Sequence, residues 1–287
     1  MKVTLNESAS HGPYIVGENG TLYMAWAGTT NTKLNVISSI DGGQTWGNKV
    51  TLEETSAACP ALVFKDGVLY MAWTGTNGKL NLISSLNNGA TWGNKITLPE
   101  SSPEVNAPWL MVSGDDLLLA WTGTSNAHPL NLASSPDGGK TWINKVTIDR
   151  DDLNGGSGPS LVLSGGELIM AFTQEARNDA WDLTLTLLSS ADGGATWGTA
   201  TRLPQTSLHR PFLLLDGGDL VMAWWAFDLK INLMRSTDGG QTWGSPTELH
   251  ETCTGAPCLA ESDGSLLVGW IGTNFGLSLN VETVSVA

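Results

Sequence analysis

Ser39-Ile40-Asp41-Gly42-Gly43-Gln44-Thr45-Trp46 decides how this chain is read, because the same spelling returns four more times. It comes back at Ser85 to Trp92, at Ser135 to Trp142, at Ser190 to Trp197 and at Ser236 to Trp243. The shared form is S-x-D-x-G-x-T-W. An Asp in this setting folds its carboxylate onto backbone N–H groups a few residues on. Gly supplies positive φ without a Cβ clash, and the Trp can bury its ring. The stretch therefore closes a hairpin. In the second copy Asn87 replaces the Asp; an Asn can make the same turn but cannot serve as a catalytic carboxylate. Asp41, Asn87, Asp137, Asp192 and Asp238 are accordingly read as structural turn-formers.

The flanks repeat too. Each unit reads G-P-x-L-V, then L-Y-M-A-W, then T-G-T-N and L-N-L-x-S-S, then the turn, then G-N-K-V-T-L. A period of 46 to 55 residues marks one array rather than two domains. Short apolar runs between Gly/Asn/Asp/Ser turns read as all-β, with four strands, A to D, per unit. The whole pattern resembles the Asp-box, or BNR repeat, of the sialidase-like β-propellers. That resemblance implies a six-bladed β-propeller with four antiparallel strands per blade, one domain over residues 1–287. The blades are expected at about 12–54, 59–100, 107–150, 158–205, 210–251 and 256–287. The last has no turn motif and no fourth strand of its own. Lys2-Val3-Thr4-Leu5-Asn6-Glu7-Ser8 matches Lys49 to Thr55 almost residue for residue, so residues 2–8 are expected to complete it and close the ring, removing its open edges.

The chain is acidic, with a formal charge of −14 over 287 residues. Basic residues this sparse form no nucleic-acid face and no anchor for anionic membranes. The same charge favours a monomer in solution. No apolar run is long enough to span a membrane, and Met1 to Leu5 already reads as strand rather than as a leader. The family resemblance implies an extracellular or secreted setting. Cys59, Cys253 and Cys258 match no metal spacing. Residues 149–155 lack a calcium-loop register. No metal and no cofactor are expected.

The turn motifs must lie on one face, and the D-to-A links and B-to-C loops on the other. That second face is where the array departs from its own consensus. Blade four drops T-G-T for the stretch Thr173 to Asp182, read as a long loop, and blade five writes Trp225-Ala226-Phe227-Asp228 in its place. Irregular loops on one face of a repeat array mark its binding side. Trp181, Trp225, Phe227, Arg177, His209 and Arg210 are the candidate ligand-binding residues. Flat apolar rings beside polar groups suit a sugar. The strand-B series Trp26, Trp73, Trp121, Phe172, Trp224 and Trp270, one per blade, reads as core.

The resemblance also implies what a sialidase would need: three arginines for the substrate carboxylate, a Tyr/Glu pair, and an acidic acid/base. The R-I-P motif of the first blade is replaced by His11-Gly12-Pro13, and only His209-Arg210-Pro211 comes near it. Tyr23 and Tyr70 lie within the repeat, and Tyr14 has no assignable Glu. The first reading is therefore a non-enzymatic propeller that binds a glycan or a protein partner on the face opposite the turns. A glycoside hydrolase using Glu175, Asp179, Asp182 and Asp228 is the second, since two carboxylates at a suitable separation suffice. A bare repeat scaffold, natural or engineered, is the third.

Overall fold

The structure is a computed structural model. It describes all residues except Asp151, Asn154, Arg177, Asn178, Phe275 and Ala287, and only the backbone of residues 175, 176 and 179–182. The chain forms strands throughout its ordered elements. β1 (Lys2–Ser8) comes first. Blade one is β2 (Tyr14–Glu18), β3 (Thr21–Ala27), β4 (Lys33–Ser39) and β5 (Gly47–Thr55). Blade two is β6 (Ala61–Lys65), β7 (Val68–Thr74), β8 (Lys79–Ser85) and β9 (Gly93–Ser101). Blade three is β10 (Trp109–Ser113), β11 (Asp116–Thr122), β12 (Leu130–Ser135) and β13 (Ile143–Ile148). Blade four is β14 (Ser160–Ser164), β15 (Glu167–Ala176), β16 (Asp179–Ser190) and β17 (Thr201–Thr206). Blade five is β18 (Phe212–Asp216), β19 (Asp219–Trp225), β20 (Lys230–Ser236) and β21 (Thr247–Thr252). Blade six holds β22 (Cys258–Ser262), β23 (Ser265–Ile271) and β24 (Ser278–Val284).

Six four-stranded antiparallel sheets result, and the sixth has the order β1-β24-β23-β22. The N-terminal strand thus closes the ring, with Lys2 opposite Glu282 and Thr4 opposite Asn280. The second strand of each blade is buried on both sides by the neighbouring blades, so it reads as a continuous apolar run rather than an alternating one. Trp26, Trp73, Trp121, Phe172, Trp224 and Trp270 are at most 2% exposed. They are core.

The S-x-D-x-G-x-T-W turns share one hydrogen-bond scheme, except that Trp142 Nε1 has no partner among the described residues. The Ser39 hydroxyl donates to Asp41 and accepts from Gly43 N. Asp41 also accepts from the N–H and the hydroxyl of Thr45, and Trp46 Nε1 donates back to Gly43 O. At Asn87 the scheme survives with one reversal: its amide donates to Thr91, which now accepts. Gly42 and Gly43 both have positive φ, as the tight turn requires. Trp46 closes the turn rather than opening β5.

One expectation changes. The stretch in blade four read as a loop is instead a lengthened hairpin. β15 and β16 stay paired as far as Gln174–Thr184 and Glu175–Leu183, with an irregularity before Ala176–Asp179. A polar hairpin tip gains its stability from the ladder bonds begun in the core, so no apolar alternation announces it.

Candidate functional site

The six D-to-A links meet at the propeller axis, and their sequence explains how. The residue before each strand-A proline is Gly12, Cys59, Ala107, Gly158, Arg210 or Ala256. Five of the six are small because backbones touch there. A Cβ on Gly12 would stand 1.9 Å from Ala256 O, and one on Gly158 would stand 2.3 Å from Ala107 O. Arg210 is the exception, and it turns inward. It is 5% exposed, donates through Nη1 to Pro108 O at 3.1 Å, and lies 5.2 Å from the Trp109 ring centroid. Trp109, Tyr14 and Phe212 pack ring against ring and fill the channel beneath it.

Above this tier, one residue earlier in the links, stand His11, Asn106, Ser157, His209 and Gly255. The two tiers enclose a cavity of about 50 Å³ at the mouth. Burial lowers the His11 pKa. Burial, with His11 and Arg210 adding to it, lowers that of His209 to about 4. Both imidazoles are therefore neutral at pH 7. The Tyr14 hydroxyl is pushed far above its ordinary value by burial. The opposite end of the channel opens into a funnel of about 470 Å³ lined by the first strands, with Leu163 and Leu215 exposed.

Trp225 ends β19 and stacks on His209, centroids 4.9 Å apart at 22°. The Ser207 hydroxyl lies within hydrogen-bond distance of the carbonyls of both residues and shares its one proton between them. Trp225 is 9% exposed, and its Nε1 has no partner among the described residues. Two residues on, Phe227 is 46% exposed. In blades one, two and six the matching residue is Thr29, Thr76 or Thr273, and each pairs hydroxyl to hydroxyl with Ser8, Thr55 or Thr252. Asp228 accepts from Lys230 N, as Asn31 and Asn77 do for Lys33 and Lys79; it builds the turn. Leu229 follows at φ 68°, the left-handed turn position that Thr32, Gly78, His128 and Leu277 hold in blades one, two, three and six.

The remaining candidates lie in blade four. Glu175, Asp179, Trp181 and Asp182 belong to the strands of the hairpin, described by backbone alone, and Arg177 lies outside the described residues. Sequence reasoning missed the polar tier of His11, Asn106 and Ser157, which shows only when the links are aligned on their prolines. Among the described residues no group of three or more His, Cys, Asp or Glu side chains could hold a metal ion. The three cysteines are free and buried.

No family model matches the chain, and no curated protein matches it in sequence. Solved structures do match in fold. A protein of unknown function from Dyadobacter fermentans DSM 18053 superposes with a TM-score of 0.75 at 16% identity, over 99% of this chain and 98% of that one. The Hadza microbial sialidase Hz136 gives 0.71 at 18% identity, over 98% of this chain and 66% of that one. The phage phi92 endosialidase gives 0.73 at 11% identity, over 100% of this chain and 69% of its own length. The chain thus spans about two thirds of these sialidases, and the fold is a sialidase-like six-bladed propeller. No described helix is long and apolar enough to cross a membrane.

Proposed function

We propose that this propeller binds a glycan without cleaving it, on the axial mouth and blade-five loop of the face opposite the S-x-D-x-G-x-T-W turns. A protein partner docking on the same groups is the alternative. Phe227 carries the reading. At this position blades one, two and six use a Thr that ties two strands together; blade five gives up that bond for an exposed ring. An exposed ring in place of a bonded hydroxyl serves recognition better than packing. The His209–Trp225 stack stands beside it as a second flat surface.

The test is retention on an array of sialylated and neutral glycans, read also for loss of terminal sugars. Phe227→Thr restores the repeat residue and should keep the fold while lowering retention at least tenfold. Unchanged retention by this variant would sink the proposal. Release of a sugar would assign hydrolysis instead, and Glu175, Asp179 and Asp182 would be the carboxylates to change. Binding to a protein but to no glycan would select the alternative.

A further inference from the structure

The axial cavity has a composition at odds with the chain around it. Acidic residues outnumber basic ones by 28 to 14 over the whole sequence. Yet the cavity is lined by Arg210, His11 and His209, with Asn106, Ser157 and Thr254 and small residues, and by no carboxylate. Arg210 is nine-tenths buried, and no described carboxylate pairs with it. Contrast Arg235, which is bound by both Asp216 and Asp219. A guanidinium carries five N–H donors. Pro108 O takes one. A buried cation without a counter-charge is strongly unfavourable, whereas the donors around it are what an anion needs.

We propose that the cavity is a binding site for a single halide-sized inorganic anion, held by Arg210 on the propeller axis. Size selects the class. About 50 Å³ accommodates one or two particles of the size of water, which occupies roughly 30 Å³ in the liquid; no sugar ring enters. Position suits a structural role. The ion would neutralise the one charge at which all six links converge, and so would tie blade five to blades two and three. Arg210 lies beneath the mouth, so the ion would sit below the glycan surface proposed above and share His209 with it.

Thermal unfolding in sodium chloride, sodium bromide and sodium gluconate at matched ionic strength tests it. Chloride and bromide should raise Tm saturably, since a ligand bound only by the native state stabilises it by mass action; gluconate is too large and should not. Arg210→Gln should abolish the halide response, and Phe227→Thr should leave it intact. Should Arg210→Gln fail to fold, crystals of the unaltered protein grown in bromide decide. An anomalous peak against the Arg210 guanidinium supports the site. Equal Tm in all three salts, or bromide crystals with no peak there, overturns it.

Discussion

Blades one, two, three and six differ from blades four and five along the outer rim. In the first group a Lys of the outermost strand lies over the core Trp of its own blade and pairs with a Glu of the blade before. Lys49 spans Trp26 and Glu7; Lys95 spans Trp73 and Glu54; Lys145 spans Trp121 and Glu100; Lys2 spans Trp270 and Glu251. Blades four and five place Ala200 and Pro246 where the Lys belongs, and a second apolar cluster around Trp224, Met222 and Leu187 joins them. The irregular blades are also those whose B-to-C segments carry the lengthened hairpin and the exposed Phe227. Where the scaffold's repeated bonds lapse, the candidate site gathers; scaffold and site draw on the same positions.

The largest effect tests whether the two regions share a core. Trp73→Ala and Trp224→Ala should each cost about 3–5 kcal/mol in denaturant melts. A loss at Trp224 under half of that at Trp73 would mean that the second cluster is a weaker joint. Next comes backbone strain. Leu229→Gly should gain about 1 kcal/mol by relieving a left-handed leucine, and Gly78→Leu in the regular blade two should lose a similar amount; opposite signs in thermal unfolding would show that this left-handed turn position, shared by Thr32, His128 and Leu277, costs a side chain the same in both blades. The rim belt is worth less, because its partners are exposed and screened. Lys95→Ala should cost about 0.5–1 kcal/mol. Pro246→Lys with Gln205→Glu should return part of that to blade five, a gain that high salt erases.

The smallest effect is acidic. Asp41, Asp137, Asp192 and Asp238 titrate at about 2 rather than 3.8, chiefly because the hydroxyl and N–H of the turn Thr bond the carboxylate. A carboxylate with a lowered folded pKa stabilises the fold above its unfolded value and ceases to do so as pH falls through the folded one. Tm should therefore drop between pH 3.8 and about 2. Asn87→Asp should steepen that drop, and Asp41→Asn should flatten it.

Much of this architecture was legible from residues alone. The match of Lys2–Ser8 to Lys49–Thr55 foretold the closing strand, and the once-per-blade aromatic foretold the core, because packing imposes both. The hairpin of blade four was not legible, since polar residues extended from a core ladder look like loop. Nor was the inward turn of Arg210. A residue before proline in one link says little; only six such links brought together show that five must be small and that the sixth points down the axis. Trp225 and Phe227 were picked out together, yet one is buried and one exposed, a distinction that depends on His209 from another segment.

The pairing of β1 with β24 has a mechanical consequence. Lys2 lies opposite Glu282 and Ser8 opposite Ser278, so tension applied at Lys2 and Val284 loads one end of an antiparallel ladder. Its bonds then open one after another, like a zipper, rather than shearing together. A ring closed by pairing its first strand with its last is in this way easiest to peel apart at that single seam.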